Sequence, residues 1–235
     1  MRIDQFLAQQ TGISRREGKE LLRKGRVFVN HEPVYLAKTQ IVPESDLVEV
    51  NGKQVEYQKY RYFMLHKPKG VISATEGRDY PTVLSLVPPE RFRKGLFPVG
   101  RLDVDTTGLL LLTDDGAFAH RIISPKHRCQ KIYLATLERP ISEEELVPLR
   151  NGVSLADGTE CLPAEVSIIH DGANPVIRIV LCEGKYHQVK RMVAAISHRV
   201  VQLHRIQIGR LALPKDLKEG ECRELSILEK EQLFG

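Results

Sequence analysis

A chain of 235 residues with 42% hydrophobic content can supply a small module plus a larger domain with its own core, and we expect two such units. Its apolar runs are only a few residues long, and the amphipathic start MRIDQFLAQQ lacks the apolar centre of a signal peptide, so we expect a soluble cytoplasmic protein without a membrane contact. The four cysteines (Cys129, Cys161, Cys182 and Cys222) form no C-x-x-C pair, which argues against a disulfide framework or a zinc knuckle.

In chain order, Ile3, Phe6 and Leu7 lie at helical spacing. Ser14 followed by Glu17 is a capping-box start for a second helix that ends at Gly25. On that helix Arg15, Lys19 and Arg23 are four apart and share one face, with Arg16 beside them and Leu21 and Leu22 left for burial. Val27-Phe28-Val29, a turn at Asn30-His31, and strand-like runs around Val34 and Leu47 to Val50 follow, closing at Asn51-Gly52. A basic helix followed by a small hairpin suits phosphates, and RIDQFLAQQTGISRREGKELLRKGRVFVNHEPV resembles the S4 RNA-binding domain. Such contacts position an RNA without reading its sequence. We place this module at residues 1–55 and a polar linker at 56–61, EYQKYR.

The remainder, 62–235, begins with a strand from Tyr62 that runs into a Pro/Gly turn, HKPKG. Strand-like pieces at Tyr133 to Leu137 and Val176 to Leu181 mingle with helix-like pieces at Ala117 to Ile123, Ser142 to Leu149 and His187 to Ile196. The absence of a regular βαβ repeat predicts an α+β domain on a mostly antiparallel mixed sheet with flanking helices. Asp79 to Glu90 reads as loop and lid material.

The net charge of +5 is modest, but it is concentrated. Arg15 to Arg26 holds six cations against two acids, Glu183 to Arg210 six against one, and Gly116 to Lys131 has Arg121, Lys126, Arg128 and Lys131 with no acid. Any one such run is usually a solvated helix face; three in one small protein point to an extended nucleic-acid track.

Carboxylates occupy the centre of this basic chain, in GRLDVDTTGLLLLTDDG. Leu109 to Leu112 reads as a buried strand, Asp115-Gly116 as the turn after it, and Gly100 and Gly108 as brackets of a loop presenting Asp103 beside a sheet edge. In isolation the D-x-D pair would satisfy loop amides. It would also suit magnesium, although no Gly-rich triphosphate cradle lies nearby.

Taken with HKPKG, CQKIYLATL (Cys129 to Leu137) and EGKYHQVKRMVAA (Glu183 to Ala195), this stretch resembles, in order and spacing, the pseudouridine synthases of the RsuA branch, which carry an amino-terminal S4 domain. His66 departs from the Asn more usual before the Lys-Pro of that motif, and is expected in a supporting turn. The resemblance implies isomerisation of one uridine in small-subunit 16S ribosomal RNA, at uridine 516, by a chain acting as a monomer on free RNA or an assembly intermediate. That reaction breaks the N1–ribose bond, turns the base, rebonds it through C5 and removes the C5 proton. It neither oxidises nor hydrolyses, so it calls for no cofactor and no metal, and one carboxylate can serve as nucleophile or base. The resemblance implies Asp103 for that role, Tyr133 stacked on the target base and assisting C5 deprotonation, and Lys190 as the cation that keeps Asp103 ionised. Lys185 and Arg191 suit the same pairing or a phosphate contact equally well, and Arg101 would hold the flipped nucleotide or the backbone. Asp105, Asp114 and Asp115 read as structural. Flipping the target out of its stack costs a few kcal/mol, to be offset by backbone contacts from the runs Arg121 to Lys131 and Arg199 to Arg210, with His120, His127 and His204 as companions. Two rivals share parts of this pattern. A non-catalytic S4-containing ribosome assembly factor would have no use for Asp103, Tyr133 and Lys190 in one pocket, and a metal-dependent nucleotidyl enzyme would need divalent ions.

Overall fold

A computed structural model of the chain describes residues 1–234. The chain divides into two compact units, Met1–Arg61 with Val87–Leu96, and Tyr62–Leu86 with the chain from Phe97 onward.

In the first unit, α1 (Ile3–Thr11) ends at Gly12 in the left-handed region, and α2 (Arg15–Arg23) starts on the Ser14/Glu17 capping box. Gly25, with φ of 63°, lets the chain leave α2 toward the strands. Arg15, Arg16, Lys19 and Arg23 are all exposed, whereas Leu22 is buried with Ile3, Phe6, Leu7, Val27, Ile41 and Val48. Strands β1 (Val27–Val29), β2 (Glu32–Pro33), β3 (Val48–Val50) and β4 (Lys53–Gln54) form a sheet in the order β2-β1-β3-β4. Its two-residue hairpin loops, Asn30-His31 and Asn51-Gly52, all take positive φ, the geometry that matches strand twist. The expected linker is tied into this unit: Tyr57 packs on its core, the Gln58 amide donates to Gln10 Oε1 (3.0 Å), and the Arg61 guanidinium donates to the Gln10 carbonyl (2.9 Å).

The second unit is built on β5 (Tyr62–Lys67), β6 (Phe97–Pro98), β7 (Thr107–Thr113), β8 (Lys131–Leu137), β9 (Glu165–His170), β10 (Val176–Leu181), β11 (Val200–Ile208), β12 (Leu211–Ala212) and β13 (Cys222–Glu224). The main path runs β13-β5-β7-β11-β8-β10-β9, with β6 on β7 and β12 on β11. Every pairing is antiparallel except β7 with β11. Thus β7 lies mid-sheet rather than beside an edge, and Leu109 to Leu112 are all fully buried because both faces are covered. On one side α3 (Gly116–Ile123) packs Phe118 and Ile122 with Met64, Leu109, Leu111 and Ile208. The other core joins α4 (Val147–Asn151) and α5 (Gln188–Ala195) to the sheet through Leu149, Met192, Val193, Ile177 and Ile179. A final helix, α6 (Ile227–Gln232), starts on a Ser226/Glu229 capping box.

Several expectations change. Asp115 is the N-cap of α3 rather than a turn residue: its carboxylate accepts from the amides of Ala117 (3.0 Å) and Phe118 (3.1 Å). His66 sits in β5, not a turn, with Nδ1 2.9 Å from the Leu217 carbonyl. The segment expected as a basic RNA-facing run from Arg199 contains the longest strand, β11, which buries Arg205. Lys131 is likewise buried, its Nζ donating to the Ile122 carbonyl at 2.9 Å. Among the described residues, no helix is long and apolar enough to cross a membrane.

Candidate active site

The loop entering β7 carries Asp103 and is fixed from three directions. Leu102 is buried and bonded through both backbone groups to Ser73 Oγ (2.9 and 3.0 Å). The Gly70 amide donates to the Val104 carbonyl (2.8 Å), and the Thr106 amide closes a turn onto the Asp103 carbonyl (3.1 Å). Lys67, wholly buried, donates from Nζ to the carbonyls of Thr106 (2.8 Å) and Pro68 (2.9 Å). The HKPKG turn is therefore the clamp on the Asp103 loop. Behind it, Gly108 (φ 106°) lies directly against β11: an added Cβ would fall 2.3 Å from the Arg205 carbonyl oxygen.

Burial pulls the Lys67 ammonium down to about 8, against the opposing pull of the Asp103 and Asp105 carboxylates. Below that pH both folded and unfolded chains hold the proton. Between about 8 and the ordinary value of 10.5 only the unfolded chain does, so stability rises with pH across that window. From pH 8 to 9.5 the native protein should gain up to about 2 kcal/mol relative to a Lys67→Met variant, measured by urea unfolding. Parallel pH dependences in the two proteins would contradict this reading of Lys67.

Asp103 faces two cationic or titratable groups presented by the start of α5. Lys190 Nζ lies 3.1 Å from Asp103 Oδ2 and 2.6 Å from Asp105 Oδ1, and His187 Nε2 lies 3.3 Å from Asp103 Oδ1. Burial acts against the Lys190 charge, but its hydrogen bonds to Asp105 and Asp103 outweigh burial and raise its pKa above the ordinary value. The hydrogen bond from Lys190 holds the Asp105 carboxyl below the usual range. The carboxylates differ in access: the Asp103 side chain is 24% exposed and that of Asp105 is 63%, so only Asp103 is sheltered enough for chemistry that must exclude water. Asp105 is more than a loop-amide acceptor, since it shares Lys190.

The alternatives to Lys190 are engaged elsewhere. Lys185 pairs with Glu183 (2.8 Å) and donates to the Glu160 carbonyl, and Arg191 pairs with Asp157 and donates to the Tyr186 carbonyl (3.2 Å). Asp103, Tyr133, Lys190, Lys185 and Arg101 all line one cavity of about 710 Å³, together with His187, Tyr186 and the buried Arg205. Tyr133, half-buried in β8, accepts at its hydroxyl from Arg205 Nη1 at 3.4 Å. Arg205 Nε donates to the Leu109 carbonyl (2.8 Å), so this arginine braces β7 and the Tyr133 ring. His204, one of the expected RNA companions, is held inward by Thr107 Oγ1 at 2.7 Å, and burial lowers its pKa. His187 is a member of the site that sequence reasoning missed: it is the left-handed N-cap of α5, and its contact with Asp103 depends on that backbone conformation.

Arg121 and Arg128 border a second cavity of about 430 Å³ with His127, Arg210 and Phe234, and Lys126 is exposed next to it. The Arg121 guanidinium sits 3.7 Å from the centre of the Phe234 ring. Among the described residues, no group of three or more His, Cys, Asp or Glu side chains gathers as a metal-binding cluster.

A mixed, mostly antiparallel sheet thus frames a sheltered carboxylate, a paired lysine and a tyrosine, in a chain that also carries a small basic αβ unit. Residues 61–195 match the RNA pseudouridylate synthase family and residues 1–47 the S4 domain, and the chain belongs to that synthase family, whose reaction is the isomerisation of uridine in RNA. It is 42% identical to ribosomal small subunit pseudouridine synthase A of Escherichia coli strain K12, over 96% of each protein. It is equally similar, at 42%, to the uncharacterized RNA pseudouridine synthase YtzG of Bacillus subtilis strain 168, over 96% of this chain and 95% of that one. The crystal structure of a pseudouridylate synthase superposes with a TM-score of 0.68 at 39% identity, covering 99% of both chains.

Proposed function

We propose that this synthase converts one uridine of small-subunit 16S ribosomal RNA, uridine 516, to pseudouridine, with Asp103 attacking or deprotonating at the ribose of a flipped-out nucleotide. The observation that carries the role of Asp103 is its sheltered carboxylate 3.1 Å from Lys190 Nζ, in the cavity that also holds Tyr133. Lys190 pairs with Asp103 and keeps it aimed, and Tyr133 offers a ring face to the uracil. The choice of 16S ribosomal RNA is supported by the likeness to ribosomal small subunit synthases, and the choice of uridine 516 by the motif resemblance alone. Turnover removes the C5 proton, so 16S transcripts tritiated at uridine C5 should release one equivalent of label to water. A 23S transcript labelled the same way should release none. With Lys190 already bridging both carboxylates, release should persist in a chelator provided monovalent salt keeps the RNA folded; loss restored only by magnesium would favour the metal-dependent rival.

The exposed cations of α2, with Arg101, Arg121, Lys126, Arg128, Lys185 and Arg191, are proposed as phosphate contacts. Neutralising Arg15, Lys19 and Arg23 together should raise KM, flatten the salt dependence of binding by roughly 2 to 3 in log–log slope, and leave saturating turnover nearly unchanged. Salt titrations of binding beside steady-state rates check this; an unaltered slope would remove α2 from the RNA contact surface.

A further inference from the structure

We propose that Tyr186 is a stacking site for a nucleobase next to the target uridine, a subsite that selects RNA with an unpaired neighbour at the modified position. The proposal rests on the reading of the cavity as the uridine pocket. Tyr186 is 71% exposed, and of the exposed aromatic side chains among the described residues it is the one that lines this cavity. Its ring lies parallel to that of His187, with centroids 3.8 Å apart and 19° between the planes. His187 in turn reaches Asp103 Oδ1 at 3.3 Å. An ordered series therefore runs outward from the carboxylate, through the imidazole to the phenol ring, and ends on an aromatic face open to solvent.

The backbone holds the stack in place. His187 takes φ 47° and ψ 35°, a left-handed conformation that histidine adopts more readily than most side chains and that turns its ring out of the helical path of α5. Arg191 grips the Tyr186 carbonyl while paired with Asp157, and the Lys185 amide donates to Gln188 Oε1 (2.9 Å), so both flanks of the pair are anchored. A large exposed ring on a braced backbone has lost the freedom that would otherwise be lost on binding.

The ligand is a base because every nucleobase has a π face and stacks on Tyr irrespective of sequence, and because Arg101, exposed and lining the same cavity, suits its phosphate. It is a neighbour rather than the target because the proposed function gives the target uracil the ring face of Tyr133, in the cavity that holds Asp103, and the exposed Tyr186 ring stacked on His187 is left for the adjoining nucleotide.

The test uses the full chain and two 16S RNA fragments carrying 2-aminopurine immediately 5′ or 3′ of the target uridine. Binding of the unmodified chain should quench the fluorescence of one of them; Tyr186→Phe should retain the quenching and Tyr186→Ala should lose it. Tyr186→Ala should also raise KM about tenfold or more, with saturating kcat within about twofold, and Tyr186→Phe should restore KM. Quenching at neither position by a chain that converts the RNA, or undiminished quenching by Tyr186→Ala, overturns the proposal. A fall in kcat at unchanged KM overturns it as well, since Tyr186 would then act on Asp103 through His187. An unmodified chain that binds these RNAs without converting them overturns the reading of the pocket, and this subsite with it.

Discussion

Asp103→Asn should retain RNA affinity within a few-fold and lose turnover by at least about 10³-fold, because an amide can neither attack the ribose nor accept a proton there. Affinity survives because phosphate contacts, which dominate it, lie on other side chains. The substitution is nearly isosteric, and the loop stays strapped to Ser73, Gly70 and Lys67. Asp105→Asn is the informative control. It lies two residues away and shares Lys190, yet it is mostly exposed, and removing its charge leaves Lys190 at 3.1 Å from Asp103. We expect a loss of less than about tenfold for Asp105→Asn. Single-turnover rates and filter-binding affinities on one RNA separate the two variants, and equal losses would reassign the chemistry to the pair of carboxylates.

Gly108→Ala should be the most damaging methyl addition in the larger unit. At φ 106° an L side chain is strained wherever it points, and here its Cβ would meet the Arg205 carbonyl oxygen at 2.3 Å and the Arg205 amide nitrogen at 2.7 Å, both backbone atoms that cannot rotate away. Relief requires β7 and β11 to separate at their one parallel contact, which also carries Arg205 and the Asp103 loop. The cost should be about 3 kcal/mol or more, read as a fall in thermal midpoint, with activity lost even in the fraction that stays folded. A variant as stable as the unmodified chain would show that the β7–β11 approach is looser than described. Gly116→Ala, in open space eight residues on, serves as the matched control.

What could be read from the sequence follows from how local each signal is. The Ser14/Glu17 box, the Asn30-His31 turn and the strand Val176–Leu181 are written in neighbouring residues and appear where expected. The Leu109 to Leu112 run announced burial, but not that β7 lies mid-sheet, which depends on β11 returning from nearly a hundred residues away. β11 itself was hidden because Arg199, His204, Arg205 and Arg210 read as a charged surface; burial of Arg205 becomes affordable only when the Leu109 carbonyl and the Tyr133 hydroxyl are brought to it. Asp115 carried a usable signal, since Asp ahead of an apolar helical run is a favoured N-cap. Within the site, Asp103, Tyr133 and Lys190 came from the motif resemblance and meet in one cavity. His187 and Tyr186 depend on a left-handed backbone residue that no propensity foretells.

The central claim, that Asp103 of this chain makes one pseudouridine in 16S ribosomal RNA, is tested most directly by mapping pseudouridines at nucleotide resolution in that RNA from cells lacking the protein, complemented with either the unmodified chain or Asp103→Asn. One pseudouridine, at uridine 516, should be absent without the protein, restored by the unmodified chain and still absent with Asp103→Asn. A map that does not change on loss of the protein, or one fully restored by Asp103→Asn, would contradict it.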